Sequence, residues 1–286
     1  MTTLINILVL GAIWGALYAL IAVGFTLIFG VANIINLSHG SFYMLGAYLA
    51  YTFMVVLGIN TPVSMILAVL CTAFIGMLLD RYAIRPMRET HVYVLIITLA
   101  VAYFFQELIY AIYGPHGKPV KSFVDGAMVL GGVQVTYQKA LTFFVSGAMV
   151  ALLLIFIKKT KTGKSISAVA QNQDAAILMG IQPERVYLIT MGISAGLAAI
   201  AGVLIAPILE AEPTMWTFVL FKAFAAVILG GLGSIAGAII SAMLLGYSET
   251  IVSLLISANY PDLVYLVAII LVLLLRPRGL MGKRAQ

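Results

Sequence analysis

The chain has 286 residues, of which 63% are hydrophobic and only 9% are charged. Soluble domains carry about 25% charged residues, so this composition excludes an ordinary soluble protein and predicts an integral membrane protein. The net charge of +6 does not indicate nucleic-acid binding, because the basic residues flank apolar segments instead of forming one soluble patch. A single cysteine, Cys71, excludes both an internal disulfide and a thiolate metal cluster.

Nine apolar segments approach the length of about 20 residues that a helix needs to cross a membrane. They are 4–29, 41–57, 62–79, 93–113, 140–157, 187–206, 216–232, 236–257 and 263–275. The first exceeds the apolar core of a signal peptide and no Lys or Arg precedes it, so we expect a retained span. The last is short, and 216–257 fits either two crossings or one crossing with a re-entrant half-helix. We predict an all-α bundle of eight or nine transmembrane helices forming one domain, residues 1–286.

Twelve of the 16 basic residues fall into three groups, which nine alternating spans place on one side of the membrane. The groups are Arg81, Arg85 and Arg88; Lys158, Lys159, Lys161, Lys164 and Arg185; and Arg276, Arg278, Lys283 and Arg284. By the positive-inside rule that side is the cytoplasm. The C-terminus is then cytoplasmic and the N-terminus outside.

A polar cluster interrupts the apolar sequence between the first two segments. Its members are Asn33, Asn36, Ser38 and His39, bracketed by Gly30 and Gly40. Polar groups at membrane depth are costly unless they face protein or water. The cluster is therefore either an interfacial turn or a broken, re-entrant segment near residues 30–40 that lines a path for a polar solute. His39 has no second His or Cys at ligand spacing, so we expect a hydrogen-bonded side chain and no metal site.

Further polar side chains lie in or beside later apolar segments. Glu249 is the deepest within a span, and either a place on a translocation path or an interhelical hydrogen bond would account for it. Lys222 is expected to snorkel to an interface or to pair with an acid. On the outer side, the loop 114–139 contains the pair Gly131–Gly132 and the alternating stretch 133–137, which predicts a short strand or hairpin.

The loop 158–186 is the longest polar stretch of the second half of the chain. Within it, 165–179 combines good helix formers with apolar residues at helical spacing, and Gly180 and Pro183 follow as terminators. It is either a solvated connector or a short helix on which a cytosolic partner docks. Gly163–Lys164–Ser165 ends like a phosphate-binding loop, but Lys158 stands where that motif requires its first glycine.

Five blocks in collinear order resemble the permease subunit of the branched-chain amino acid ABC importers, the LivH type. They are NLSHGSFYMLGAY at 36–48, GKSISAVAQNQDAAILMGI at 163–181, AGLAAIAGVL at 195–204, KAFAAVILGGLGSIAGAIIS at 222–241 and LRPRGLMG at 275–282. The resemblance covers nearly the whole chain.

The resemblance implies that 163–181 holds the coupling helix that seats in an ATPase subunit. The implied ATPase-coupling residues are Ala168, Asn172, Asp174, Ala175, Gly180 and Ile181. Ser167 stands where the family has an arginine, and Gln173–Asp174 where it often has Pro-Glu. By likeness to related sugar permeases, Asn33, Asn36, Ser38 and His39 are expected to line the path, and Glu249 is a further candidate because of its depth within a span.

The function that the resemblance implies is alternating-access import of branched-chain or related hydrophobic amino acids across the bacterial inner membrane. The chain itself is then no enzyme and holds no cofactor, because ATP and magnesium bind to separate subunits. Expected partners are two ABC ATPases, a second and homologous permease forming a heterodimer, and an extracytoplasmic solute-binding protein. Alternatives are a related ABC permease for urea, amides or other small organic solutes, an ion-coupled secondary transporter, and a passive channel.

Overall fold

A computed structural model describes residues 2–257, 259–276 and 279–281. The helices in these ranges are α1 (Thr2–Ala32), α2 (His39–Tyr51), α3 (Thr61–Leu79), α4 (His91–Tyr113), α5 (Tyr137–Lys159), α6 (Lys161–Gln171), α7 (Gln173–Leu178), α8 (Pro183–Leu209), α9 (Met215–Gly230), α10 (Ile235–Leu255) and α11 (Pro261–Leu275). A π-helical turn, Thr52–Val56, continues α2, and the turns Asp80–Ile84 and Arg85–Met87 continue α3. The strands are β1 (Ala127–Leu130) and β2 (Val133–Thr136).

The predicted all-helical membrane architecture is confirmed, and each of the nine apolar segments falls on a helix. Six helices of the described chain are long and apolar enough to cross a membrane: α1, α3 with its extension to Met87, α4, α5, α8 and α10. Helices α9 and α11 have 16 and 15 residues, and α2 has 13. A total of eight or nine crossings therefore stays a prediction.

Helices α1 and α8 form the centre of the bundle. In their most apolar stretches, 67% of α1 and 78% of α8 is buried, against 22% for both α4 and α5. The peripheral helices expose large apolar side chains such as Phe104 and Phe144. Such a surface is stable in hydrocarbon, where every backbone polar group is bonded inside its helix.

Two close helix contacts depend on residues without a side chain. A methyl group on Gly246 of α10 would collide with the backbone of Gly15 in α1, and one on Gly202 of α8 would collide with the carbonyl of Tyr43 in α2. Small residues allow helix backbones to approach where no hydrophobic effect drives the helices together. These contacts fix α10 against α1 and α2 against α8.

The helix α2 begins deep inside the protein, not at its surface. After α1 ends, Asn33 adopts a left-handed conformation with φ of 52°, and the chain turns back along α1. The imidazole Nε2 of His39 lies 3.1 Å from the carbonyl oxygen of Ile21. Ile21 is about 16 Å along the helix axis from Ala32. The interruption predicted near residues 30–40 is therefore present: Asn33 is exposed, whereas Asn36, Ser38 and His39 are buried within the bundle.

The basic 80–92 and 158–186 loops meet at one end of the bundle, and the described start of the tail reaches the same end. Arg85 forms an ion pair of 2.8 Å with Glu184, which joins the 80–92 loop to the 158–186 loop. The backbone N–H of Leu280 donates to the carbonyl of Leu229, 2.8 Å away, which brings the start of the tail to the same end. Arg278, Lys283 and Arg284 lie outside the described residues.

The opposite end carries the hairpin that the 114–139 loop predicted. Strands β1 and β2 pair antiparallel and are joined by Gly131 and Gly132, whose φ angles of 56° and 85° suit a two-residue hairpin turn. Val133 and Val135 of β2 are buried with Ile13 in one small apolar cluster beside the amino-terminal half of α1. The same loop bonds through Lys118 to the backbone of Ala211, just after α8.

Candidate functional site

At the basic end, the sequence predicted to form one helix forms two. Thr160 caps α6, its hydroxyl accepting from the N–H of Gly163 at 2.9 Å. Asn172 is extended, with φ of −158°, and its side chain accepts from the N–H of Ala175 at 2.9 Å, so it caps α7. Asparagine is among the best capping residues, and this explains the break. Gly180, with φ of 79°, ends the segment, and we call residues 161–181 the α6–α7 element.

One side of the α6–α7 element is packed on the bundle and the other is exposed. Ile166, Val169 and Ala176 are buried. Leu178 and Met179 are 87% and 82% exposed. Such apolar side chains on a short, otherwise polar element are typical of a protein interaction site. Of the predicted coupling residues, Ala168 and Ile181 are half-buried, whereas Asn172, Asp174, Ala175 and Gly180 are exposed.

Helix α7 is bonded to the membrane helices through side chains. The hydroxyl of Tyr187, in the first turns of α8, donates to Oε1 of Gln173 at 2.9 Å. The guanidinium of Arg88 lies 4.1 Å from the centre of the Tyr187 ring and pairs with Asp80 at 2.6 Å. Arg88 also pairs with Glu184 at 3.3 Å. The cation–π and ion-pair contacts of Arg88 hold the start of α8 against the end of α3, and the Tyr187 hydrogen bond joins α7 to that assembly.

A cavity of about 440 Å³ lies between the α6–α7 element, the C-terminal end of α1 and the N-terminal end of α10. Its polar lining residues are Thr26, Asn33, Ser167, Gln171 and Ser234. Asn33, one of the predicted path residues, is therefore at an open surface of the protein.

The other predicted path residues of the 33–40 cluster are buried and bonded within the fold. Oδ1 of Asn36 accepts from the N–H of Ser38 at 3.0 Å and from its hydroxyl at 2.6 Å. The ring of His39 lies between the carbonyl of Ile21 and the hydroxyl of Ser194, which is 3.2 Å from Nδ1. Because Ile21 offers only an acceptor, Nε2 carries a proton. A role for Asn36, Ser38 and His39 in transport stays a prediction.

A second cavity, which we call the outer cavity, opens at the hairpin end of the bundle. Its volume is about 330 Å³, in the range of about 300–1,000 Å³ typical of small-molecule sites. Most of the wall is aromatic or aliphatic. The lining residues are Trp14, Leu17, Tyr18, Ile21, Tyr43, Leu209, Glu210, Glu212, Met215, Phe218, Val219, Lys222 and Asp262.

The predicted path residue Glu249 belongs to a bonded charge network at the outer cavity. Its Oε1 pairs with the ammonium of Lys222 at 2.9 Å, and its Oε2 accepts from the hydroxyl of Tyr18 at 2.5 Å. Lys222 also donates to the Tyr18 hydroxyl at 3.1 Å and lies 3.4 Å from Asp262. The network joins α1, α9, α10 and α11. Lys222, for which the sequence left two interpretations, pairs with an acid.

The outer cavity has two further acids. Glu210 and Glu212 follow α8, and Glu210 is held in a left-handed conformation with φ of 68°. Among the described residues, no basic side chain lies within 4 Å of either carboxylate. The cavity thus offers charges of both signs against an apolar wall.

Sequence reasoning missed Tyr18, Asp80, Arg88 and Asp262 as members of these sites. Tyr18 lies in an uninterrupted apolar run, where an aromatic residue is normally core. In the sequence, Arg88 is only one of the basic residues that indicate membrane topology. The pairings join residues far apart in the chain, such as Tyr18 and Glu249, and no local pattern reveals them.

Comparison with known proteins assigns the chain to a family. Residues 7–274 match the family model described as branched-chain amino acid transport system / permease component. The chain is 32% identical to the high-affinity branched-chain amino acid transport system permease protein LivH of Salmonella typhimurium, over 96% of this chain and 94% of that protein. It is also 32% identical to the corresponding protein BraD of Pseudomonas aeruginosa, over 96% and 95% of the two chains.

More distant similarities support the same architecture. The ribose import permease protein RbsC of Haemophilus influenzae is 26% identical over 93% of this chain and 83% of that protein. A solved structure, PsaBC from Streptococcus pneumoniae in complex with Fab, superposes with a TM-score of 0.53 at 15% identity, covering 97% of this chain and 93% of the other. That likeness shows the fold. The extent of the family match and the identity to LivH and BraD together show that the chain belongs to the branched-chain amino acid transport system permease family.

Proposed function

We propose that this chain is the membrane permease subunit of an ATP-driven importer for branched-chain or related apolar amino acids, working by alternating access. The observation that carries the proposal is the α6–α7 element: Leu178 and Met179 expose apolar surface at the basic end of the bundle, on a helix that is bonded to the spans. A permease that lacks its own nucleotide site requires such a surface to receive motion from separate ATPases. Family membership and the substrate named for LivH and BraD support the transport class.

The proposal includes a topology and a set of partners. Concentration of basic residues at the α6–α7 end supports a cytoplasmic location for that end, with the N-terminus of α1 and the hairpin outside. Two ATPase subunits then bind Mg-ATP in the cytoplasm, a homologous second permease completes the membrane unit, and a solute-binding protein delivers substrate to the outer face. Transport can be coupled to ATP only if the bundle has two states that differ both in their affinity for substrate and in their affinity for the ATP-bound form of the ATPase subunits.

Two features support an apolar amino acid over urea or a short amide. The outer cavity combines an apolar wall with charges of both signs, which suits an aliphatic side chain attached to a zwitterion. The relatives at 32% identity are named for branched-chain amino acids. A secondary transporter driven by protons or sodium would have no use for an exposed cytosolic docking surface.

The docking surface is tested by placing a charge on it. Leu178→Asp and Met179→Asp are expected to abolish co-purification of ATPase subunits with the tagged permease from native membranes, detected as nucleotide hydrolysis in the eluate. Val129→Asp is the matched control, because Val129 is 71% exposed on the hairpin at the other end. Retention of the ATPase by both the Leu178 and the Met179 variant would contradict the proposal. So would leucine uptake by vesicles that contain the permease without any ATPase.

A further inference from the structure

We propose that the outer cavity is a binding subsite for a zwitterionic apolar amino acid, in which the Lys222 ammonium takes the substrate carboxylate in the position that the Asp262 carboxylate occupies in this structure. The inference rests on the proposed function and assigns the groups that recognise the substrate.

The bonds of Lys222 identify the exchangeable partner. The Lys222 ammonium has three neighbours: it forms ion pairs with Glu249 at 2.9 Å and Asp262 at 3.4 Å, and it donates to the Tyr18 hydroxyl at 3.1 Å. The Glu249 side chain is 8% exposed and is fixed by its second bond, to Tyr18. The Asp262 side chain is 53% exposed and makes the longest of the three contacts. A carboxylate that enters from the cavity therefore displaces Asp262 and leaves the buried pair intact.

The exchange conserves charge at Lys222. One carboxylate leaves the ammonium as another arrives, so the charge that Lys222 faces is unchanged while substrate is bound. Asp262 is exposed enough to be solvated by water when it is released, which keeps the cost of the exchange small. Asp262 thus acts as a placeholder that satisfies Lys222 between transport cycles.

The other walls of the outer cavity complete the recognition of a zwitterion. Glu210 and Glu212 line the same cavity without an ion pair in the described chain, and they are placed to accept from the substrate ammonium. Trp14, Phe218 and Val219 offer apolar surface for an aliphatic side chain. Urea and simple amides carry no carboxylate, so they cannot replace Asp262 on Lys222.

The test measures binding of tritiated leucine to the assembled permease–ATPase complex in nanodiscs, without the solute-binding protein, by scintillation proximity. The double variant Lys222→Gln/Glu249→Gln removes both buried charges together, so neither is left unpaired. It is expected to weaken leucine binding by about tenfold or more, the loss of one hydrogen bond to a charged group. Asp262→Asn removes the competitor and is expected to tighten binding by up to about fivefold. Lys121→Gln, at an exposed lysine of the outer loop, is the control and is expected to bind as wild type.

Two leucine analogues, each carrying only one of the two charged groups of leucine, test the carboxylate and the ammonium separately. The carboxylic acid 4-methylpentanoate is expected to compete with leucine in the wild-type complex and to lose this competition in the double variant. The amine 3-methylbutylamine is expected to compete equally in both. Wild-type leucine affinity in the double variant, weaker binding in Asp262→Asn, or no leucine binding by the wild-type complex would each overturn the assignment.

Uptake by the complete importer distinguishes failure of the subsite from failure of the proposed function. ATP-driven leucine uptake that proceeds at the wild-type rate in the double variant overturns the subsite and leaves the permease function standing. Absence of ATP-driven leucine uptake by the wild-type importer overturns the proposed substrate and the subsite with it.

Discussion

Lys222 of α9 and Glu249 of α10 form an ion pair of 2.9 Å whose side chains are 16% and 8% exposed. The Tyr18 hydroxyl bonds to both residues of the pair. Each charge therefore has partners inside the bundle, whereas either charge alone would destabilise the folded protein.

Single neutralisation of the pair is expected to destabilise the protein more than double neutralisation. Lys222→Gln leaves the Glu249 carboxylate buried without its cation, and Glu249→Gln leaves the ammonium with only one ion pair, its longer contact to the exposed Asp262 carboxylate. Each is expected to cost about 3–5 kcal/mol, whereas the double variant costs less because no charge stays unpaired. Thermal unfolding in detergent, followed by intrinsic fluorescence, ranks the stabilities of the three variants. A double variant less stable than both single variants would show that the pair is not the stabilising unit.

Adding one methyl group to the α1–α10 contact is expected to destabilise the bundle. Gly246→Ala places its new carbon against the backbone of Gly15, which cannot move aside, so we expect a loss of about 1–3 kcal/mol. Gly147→Ala in α5 is the matched control, because an added carbon there meets nothing within 4 Å. The control is expected to gain up to about 1 kcal/mol from better helix propensity. Equal unfolding temperatures for the two variants would contradict the close packing.

Removing the Asn172 cap is expected to loosen α7 without unfolding the membrane helices. Asn172→Ala removes the acceptor for the N–H of Ala175 and costs about 1 kcal/mol of local stability. Hydrogen exchange of the α7 amides should accelerate while exchange in α8 is unchanged. Asn172→Ser retains an acceptor and serves as the control. Slow α7 exchange in the alanine variant would show that tertiary contacts alone hold the helix.

The orientation of the bundle can be read from thiol labelling. In a Cys71→Ser background, Val129→Cys on the hairpin is expected to react with a membrane-impermeant maleimide added to intact cells. Leu178→Cys, 87% exposed at the other end, is expected to react only after the membrane is permeabilised. The reverse pattern would place the α6–α7 element outside and remove the basis for ATPase docking.

Much of the architecture follows from local sequence patterns. The apolar segments predicted the helices because segment length and hydrophobicity suffice to identify them, and Gly131–Gly132 with its alternating flank predicted the hairpin. Grouping of the Lys and Arg residues predicted one common side for three loops, and the 80–92 and 158–186 loops do meet at one end of the described bundle. Five sequence blocks were enough to suggest the family.

The features that could not be predicted from the sequence depend on contacts between residues or elements that a local pattern does not reveal. A single helix was expected over 165–179, because propensity alone does not reveal that the Asn172 side chain would cap a new one. Tyr18, Lys222 and Asp262 lie on three different helices, and only the folded bundle places them at one cavity. The depth of His39 likewise becomes visible only from its bond to Ile21.

The helix α8 connects both ends of the molecule as one rod of 27 residues, about 40 Å long. Tyr187 bonds the α6–α7 element near its first turn, and Glu210 stands at the outer cavity directly after its last. A rigid tilt of about 5° about Gly202 displaces the first residue of α8, about 28 Å away, by roughly 2.5 Å, nearly the length of a hydrogen bond. Gly202, about three-quarters of the way along the helix, packs tightly on α2, so α8 has the shape of a lever whose pivot lies inside the bundle, nearer the outer cavity than the α6–α7 element.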